Sequence, residues 1–209
     1  MAQRGKFITL EGGEGVGKTT NLAFIRQWLE ARGTDLMLTR EPGGTPLSEA
    51  LRSLLLDNAY KGMDSTAELL MVFAARAEHL NKRILPALDA GQWVLCDRFT
   101  DASYAYQGHG RRMGRQRIAV LEKLVQGDLR PDLTLLLDVD PQTGLQRVDA
   151  RAARDRFENE QLSFFQRVRE GYLARAQAEP ERFAVIDAAQ PLAAVQKDIA
   201  AALEGLCGE

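Results

Sequence analysis

The sequence predicts a three-layer α/β/α domain built around a five-stranded parallel sheet. Five short runs rich in β-branched and aromatic residues recur along the 209-residue chain, separated by longer stretches with helical periodicity. These runs are nearly continuous in apolar residues, which is typical of strands buried on both faces of a parallel sheet. No low-complexity linker or internal repeat interrupts the pattern. We therefore expect a single domain over residues 1–209.

The predicted strands follow one another in a β-α-β-α alternation. In chain order they are Lys6–Leu10, Asp35–Thr39, Trp93–Cys96, Leu133–Val139 and Phe183–Ile186. In such sheets, ligands bind at the carboxyl ends of the strands. The residues that follow each strand are therefore the first candidates for a functional site.

Two of the intervening stretches show clear helical patterns. The first opens with Ser65-Thr-Ala-Glu68, which fits a capping box, and its predicted apolar face contains Leu70, Phe73, Ala77, Leu80 and Ile84. The second spans Gly114–Gly127, ends at a glycine and repeats apolar residues at Ile118, Leu121, Leu124 and Val125.

Composition and charge exclude several classes of protein. With 27 Lys+Arg against 29 Asp+Glu and a net charge of −2, the chain lacks the basic excess of a nucleic-acid binder. Cys96 and Cys207 are far apart, which argues against a disulfide framework and favours a reducing compartment. No apolar run approaches the roughly 18 residues of a membrane span. We expect a cytoplasmic protein that binds neither nucleic acid nor membrane.

A glycine-rich loop after the first strand carries the strongest functional signal. Gly12-Gly-Glu-Gly-Val-Gly17-Lys18-Thr19 matches the phosphate-loop pattern G-x-x-x-x-G-K-[ST] between a strand and a helix. Such a loop surrounds phosphates with backbone N–H groups, its lysine reaches the β- and γ-phosphates, and its hydroxyl binds Mg²⁺. The predicted ATP-binding residues are Gly12, Gly13, Glu14, Gly15, Val16, Gly17, Lys18, Thr19 and Thr20.

Residues elsewhere favour a small kinase over a GTP switch or a motor ATPase. The one Asn-Lys pair, Asn81-Lys82, lies in a helical pattern and lacks the Asp that reads guanine, and the chain leaves little room beyond a nucleotide core. Asp97 and Arg98 end the third strand, where Asp97 would orient the Mg²⁺ shell and Arg98 would hold an acceptor phosphate or the transferring group. Four arginines, Arg147, Arg151, Arg154 and Arg156, form either a cationic lid or a solvated helix face.

Five sequence blocks together resemble the thymidylate kinase family over nearly the whole chain. They are Phe7-Ile-Thr-Leu-Glu-Gly-Gly-Glu-Gly-Val-Gly-Lys-Thr-Thr20, Thr39-Arg-Glu-Pro-Gly-Gly-Thr45, Asp97-Arg98-Phe99, Tyr104-Ala-Tyr-Gln-Gly108 and the arginine-rich segment ending at Asp155-Arg156. The resemblance implies a P-loop kinase fold and Mg²⁺-dependent transfer of a phosphoryl group from ATP to dTMP, a step in dTTP biosynthesis. It also implies a homodimer packed through helices.

The resemblance further assigns roles to single residues. Glu14 would approach the deoxyribose 3′-hydroxyl, Arg98 would bind the dTMP phosphate and Arg76 would read an edge of thymine. The remaining acceptor-side positions are Arg40, Pro42, Ser103, Tyr106 and Gln107, of which Tyr106 would disfavour a ribose 2′-hydroxyl by its bulk. Lys18 and Arg98 complete the expected catalytic set together with the lid arginines below, and Thr19 and Asp97 are the expected metal-site residues.

Two features of this sequence modify the family pattern. Family members usually carry an aromatic residue four positions before the helix arginine, where this chain has Val72; the neighbouring Phe73 would either stack on the base or belong to the core. The interior of the phosphate loop contains no arginine, which implies that a lid at about residues 147–158 supplies the catalytic charge through Arg151, Arg154 and Arg156. A deoxynucleoside kinase and a nucleotide-binding regulatory module without turnover are the alternative functions.

Overall fold

The five predicted strands are confirmed, with ends that differ by no more than two residues. The protein is represented by a computed structural model that describes residues 4–149 and 155–208. Its strands are β1 (Phe7–Gly12), β2 (Leu36–Arg40), β3 (Trp93–Asp97), β4 (Leu133–Asp138) and β5 (Phe183–Asp187). All pairings are parallel and the strand order is β2-β3-β1-β4-β5.

Helices connect the strands. They are α1 (Lys18–Glu30), α2 (Pro46–Leu56), α3 (Ser65–His79), α4 (Leu85–Asp89), α5 (Thr100–Ser103), α6 (Arg115–Gln126), α7 (Pro141–Asp149), α8 (Leu162–Ala178) and α9 (Leu192–Cys207). Short 3₁₀ turns occupy Asn58–Tyr60 and Pro180–Arg182, and π-helical turns occupy Leu80–Ile84 and Tyr104–Gly110. In the part of the chain that the structure describes, no helix has both the length and the apolar character to cross a membrane.

The central strands are covered on both faces. On one face, α1 and α9 contribute residues such as Ile25 and Ile199 to a cluster that includes Ile8 of β1. On the other face, aromatic residues of α8 such as Phe165 pack against Leu136 of β4. Burial is nearly complete along β1, β3 and β4, whereas the edge strands β2 and β5 are partly open to solvent. The prediction of strands buried on both faces is therefore confirmed for the three central strands.

Two details of the predicted helices are wrong. The N-cap of α3 is Asp64, whose carboxylate accepts hydrogen bonds from the backbone N–H groups of Thr66 and Ala67; Glu68 is fully buried and makes tertiary contacts instead. The predicted apolar faces also included Leu70 and Leu124, which are 52% and 77% exposed. Sequence periodicity could not distinguish these exposed apolar residues from the core residues beside them.

The strand register brings three chain segments to one edge of the sheet. Leu10 pairs with Asp97, and Arg40 pairs with Asp97 from the other side, so β2, β3 and β1 end side by side. The segments that leave these ends are the acceptor-side loop after Arg40, the Asp97-Arg98 turn and the glycine-rich loop. The order of the strands thus places the predicted functional segments around a common space.

Candidate active site

A cavity of about 560 Å³ opens at this edge of the sheet. One end, here called the loop end, is lined by residues 14–20 of the glycine-rich loop; the other, the helix end, is lined by Val72, Arg76, Ser103 and Gln107. Most predicted site residues line this cavity: Glu14, Gly15, Val16, Gly17, Lys18, Thr19, Thr20, Pro42, Arg76, Asp97, Arg98, Ser103, Tyr106 and Gln107.

The glycine-rich loop packs tightly against α7. Gly15 has φ +70°, and a Cβ atom there would lie 2.0 Å from the carbonyl oxygen of Gly144. Any side chain at Gly15 would therefore displace the loop, since both its conformation and its surroundings require glycine. Gly12 and Gly13 of the predicted set lie at the base of the loop, outside the lining of the main cavity, and the Gly13 carbonyl accepts a hydrogen bond from Lys18 at 3.2 Å.

The loop end is built to receive an anion. Gly17 precedes α1 with no side-chain cap, so the first N–H groups of the helix are directed toward the loop end of the cavity. Burial and the nearby Arg98 lower the pKa of Lys18 from its usual value. A bound phosphate would favour the charged ammonium and offset this desolvation.

Arg98 stands between the two ends of the cavity. Its backbone is left-handed, with φ 68°, and its guanidinium donates to Glu14 Oε1 at 2.8 Å and to the Tyr172 hydroxyl at 3.1 Å. Tyr106 donates to the same Glu14 oxygen at 2.7 Å. Burial by itself would raise the pKa of Glu14, but Arg98 and Lys18 bring it below its usual value. Glu14 is thus an anionic acceptor fixed beside Arg98.

Glu11 supports the turn that carries Arg98. Its carboxylate accepts a hydrogen bond from the Phe99 backbone N–H at 2.6 Å and another from the Tyr172 hydroxyl at 2.8 Å. Burial and the nearby Asp101 carboxylate raise the pKa of Glu11 to about 8. Tyr172 therefore connects Glu11 to the Arg98 side chain.

The helix end is organised by Arg76, a fully buried arginine. Three of its five N–H donors are engaged: by Glu41 at 2.6 Å, by the Ser103 hydroxyl at 3.1 Å and by the Phe99 carbonyl at 3.2 Å. His79 Nδ1 lies 3.1 Å from the other oxygen of Glu41, which therefore joins two side chains of α3. These contacts hold the guanidinium in one orientation. Its two remaining N–H groups can donate to a ligand in the cavity.

Asp97 and Thr19 fit a site for Mg²⁺. Asp97 Oδ1 is buried and has no hydrogen-bond partner in the described ranges, although buried carboxylate oxygens are normally paired. Thr19 places an exposed hydroxyl on the same cavity. Hard oxygen donors of this kind suit Mg²⁺, which typically takes one or two protein oxygens together with substrate phosphates.

Several cavity residues were not singled out from the sequence. Arg52 of α2 donates to the Pro42 carbonyl at 2.9 Å, and burial together with the charges of Arg40 and Arg98 lowers its pKa. Asp155 and Glu158, in the predicted lid at about residues 147–158, also line the cavity. Arg52 belongs to no sequence motif. The two carboxylates belong to the arginine-rich region, where the sequence analysis considered only the arginines.

The structure decides between the two alternatives for Phe73, and the predicted placements of Arg40 and Arg156 need correction. Phe73 lies in a core cluster with Leu69, Tyr104 and Ile118, and the cavity is lined by Val72 instead, because the helix turns Phe73 toward α6. Arg40 points outward from the edge strand and pairs with Glu49 at 2.8 Å.

Arg156 is buried rather than presented to the cavity. It donates to the Leu55 carbonyl at 2.7 Å and pairs with Glu68 at 2.8 Å. The prediction of Arg156 as a lid arginine thus overlooked a buried anion that holds it. Arg151 and Arg154, the other two predicted lid arginines, lie outside the described residues.

Comparisons with known proteins show which family this chain is similar to. The sequence profile of the family described as thymidylate kinase matches residues 10–199. A thymidylate kinase of Teredinibacter turnerae is 62% identical over 200 residues, which cover 96% of this chain and 98% of the relative. A thymidylate kinase of Chromohalobacter salexigens is 62% identical over 201 residues, covering 95% of each.

A solved structure extends the agreement to the fold. The crystal structure of thymidylate kinase from Ehrlichia chaffeensis superimposes with a TM-score of 0.76 at 37% identity, covering 96% of this chain and 99% of that one. The sequence profile, the relatives and the fold lead to one conclusion: this chain belongs to the thymidylate kinase family.

Proposed function

We propose that this protein phosphorylates dTMP to dTDP, with ATP as phosphoryl donor and Mg²⁺ as cofactor, in the cavity described above. The observation that carries this assignment is the continuity of the cavity from the glycine-rich loop, past Arg98 and Arg52, to the helix end, where Arg76, Ser103 and Gln107 offer hydrogen-bonding groups. A donor triphosphate and an acceptor monophosphate would meet between the two ends. Family membership supports dTMP as the acceptor.

The loop end would hold the donor. Backbone N–H groups of the glycine-rich loop and Lys18 would bind the ATP phosphates, while Thr19 and Asp97 would hold Mg²⁺. When bound, the metal neutralises phosphate charge. The described residues offer no group of three or more His, Cys, Asp or Glu side chains suited to a metal, so the phosphates would complete its coordination.

Arg98 and Arg52 would hold the acceptor phosphate at the middle of the cavity. Both line it, and the positive charge of Arg98 lowers the pKa of Arg52, so an anion bound between the two guanidinium groups would relieve their repulsion. A phosphate oxygen is already a competent nucleophile at neutral pH, so no side chain needs to act as a general base. Catalysis would come from alignment and charge neutralisation, to which Arg151 and Arg154 of a lid would contribute.

The deoxyribose would lie beside Glu14 and Tyr106. The Glu14 carboxylate would accept a hydrogen bond from the 3′-hydroxyl, and the Tyr106 ring, fixed by its hydrogen bond to Glu14, would occupy the space that a 2′-hydroxyl requires. Pro42 would line the same wall of the cavity.

We also propose that the enzyme is cytoplasmic, because its two cysteines, Cys96 and Cys207, are free thiols, which fit a reducing compartment.

The test is ADP release with ATP and Mg²⁺ in the presence of dTMP, thymidine, dUMP, the ribose form of TMP, or no acceptor. We expect strong turnover with dTMP and little with thymidine or ribose TMP. Turnover with thymidine alone would identify a deoxynucleoside kinase. Nucleotide binding without turnover would identify a regulatory module.

We also propose a homodimer formed through an apolar surface on α2, α3 and α6. These helices pack side by side, and their exposed apolar residues include Leu47, Leu54, Leu70, Val120 and Leu124. Exposed apolar residues grouped in this way favour association. Light scattering should give twice the mass of one chain, and Leu124→Glu should reduce it to that of the monomer; an unmodified monomer would contradict the proposal.

A further inference from the structure

Gln107 presents an amide whose orientation decides what the helix end can bind. The side chain lines the cavity, and its backbone lies in the π-helical turn Tyr104–Gly110, where its carbonyl accepts from Met113 N–H at 3.2 Å. A glutamine amide carries an acceptor oxygen and a donor NH₂ group of nearly equal size. Rotation by 180° would therefore exchange an acceptor for a donor at the cavity surface.

Glu68 removes this ambiguity. Its carboxylate is fully buried on α3, pairs with Arg156 at 2.8 Å and Arg111 at 3.2 Å, and lies 2.8 Å from the Gln107 nitrogen. The groups that face it, two guanidinium groups and the Gln107 amide, can all donate, and a carboxylate offers them only acceptor oxygens. The Gln107 NH₂ group must therefore face Glu68, and the Gln107 oxygen has no partner within residues 4–149 and 155–208.

We infer that Glu68 is a specificity-determining positioning residue, which selects the pyrimidine by fixing the Gln107 amide. The pocket then presents an acceptor at Gln107 beside donors at Arg76. Thymine and uracil offer the complement, a donor N3–H next to the O4 acceptor. Cytosine offers an acceptor at N3 next to a donor amine, so its N3 would face the Gln107 oxygen, another acceptor, and its amine would face the Arg76 donors. This inference rests on the proposed function, since it assumes that the base occupies the helix end.

The test compares dTMP with 5-methyl-dCMP, which keeps the methyl group and changes only the hydrogen-bonding edge. In Glu68→Gln, the amide at position 107 can rotate, and we expect the ratio of kcat/KM for the two substrates to fall by about tenfold, as one mismatched hydrogen bond implies. The reciprocal swap, Glu68→Gln with Gln107→Glu, returns an acceptor to the cavity and should restore the ratio.

A matched control is Glu122→Gln, which removes another buried carboxylate, one that accepts from Tyr104 and pairs with Arg130 at 3.0 Å. It should leave the ratio unchanged. If Glu68→Gln does not fold, the double variant is measured instead, because it keeps one carboxylate and one amide at positions 68 and 107. A ratio unchanged in Glu68→Gln, or not restored by the swap, would overturn the inference. Failure of the unmodified protein to phosphorylate dTMP would instead overturn the proposed function.

Discussion

The loop end and the helix end of the cavity are built in different ways. The loop end is one continuous segment whose backbone N–H groups and glycine conformations form the binding surface. The helix end combines side chains from several elements, and buried carboxylates behind them, Glu41 and Glu68, fix their orientation. Phosphate binding therefore depends on local backbone geometry, whereas recognition at the helix end depends on buried carboxylates, of which Glu41 lines the cavity and Glu68 does not.

The largest effect is expected at the loop end, from Lys18→Ala. Lys18 supplies the charge that no backbone group can replace, so kcat should fall by about 10²–10³-fold, as for other groups that stabilise a transition-state charge. Steady-state kinetics with saturating dTMP would measure the loss, with circular dichroism as a check on folding. A loss below tenfold would mean that the backbone alone supports transfer.

Arg98→Ala tests the residue that lies between the two ends of the cavity. The substitution removes the cation that faces both Glu14 and the expected acceptor phosphate, so kcat/KM for dTMP should fall by about 10²-fold while the KM for ATP changes by less than about threefold. Arg32→Ala, which alters an arginine stacked on Trp28 away from the cavity, is the matched control. Equal losses for both substrates would contradict an acceptor-side role.

The helix end is tested by Glu41→Gln. Glu41 and Arg76 form a buried ion pair, and loss of one charge leaves the other uncompensated at a cost of about 3–5 kcal/mol for a complete break, less where the amide still accepts. We expect a lower free energy of unfolding in urea and a raised KM for dTMP, with the KM for ATP unchanged. An unchanged KM for dTMP would show that Arg76 keeps its orientation without the carboxylate.

The last prediction concerns stability rather than turnover: a pH dependence that originates at Glu11, which supports the turn carrying Arg98. The pKa of Glu11 is about 8 in the folded protein against a usual 4.5, so between these values the unfolded chain has lost a proton that the native state retains. Stability should therefore fall as pH rises across this window, by about 1.4 kcal/mol per unit for this group, and level off above pH 8. Urea unfolding should show a shallower decline for Glu11→Gln; identical slopes would contradict the assignment.

The sequence predicted the loop end and the sheet because both are encoded locally. The phosphate-loop pattern and the apolar runs are contiguous, and the order of the strands then brings Asp97 and Arg98 beside the loop. The helix end was predicted only by resemblance to the family, and the choice for Phe73 between the base and the core stayed open, because one helical position separates the cavity from the core. Arg52 and the Glu68 contacts were missed, since tertiary pairs far apart in sequence leave no pattern in a single chain.

The most direct test of the division between the two ends is a crystal structure with adenosine and thymidine joined through five phosphates. We expect thymine at the helix end, within hydrogen-bond distance of Arg76 and the Gln107 oxygen, and phosphates running past Arg98 to Lys18. Thymine bound at the loop end, or outside the cavity while the phosphates stay on the glycine-rich loop, would contradict it.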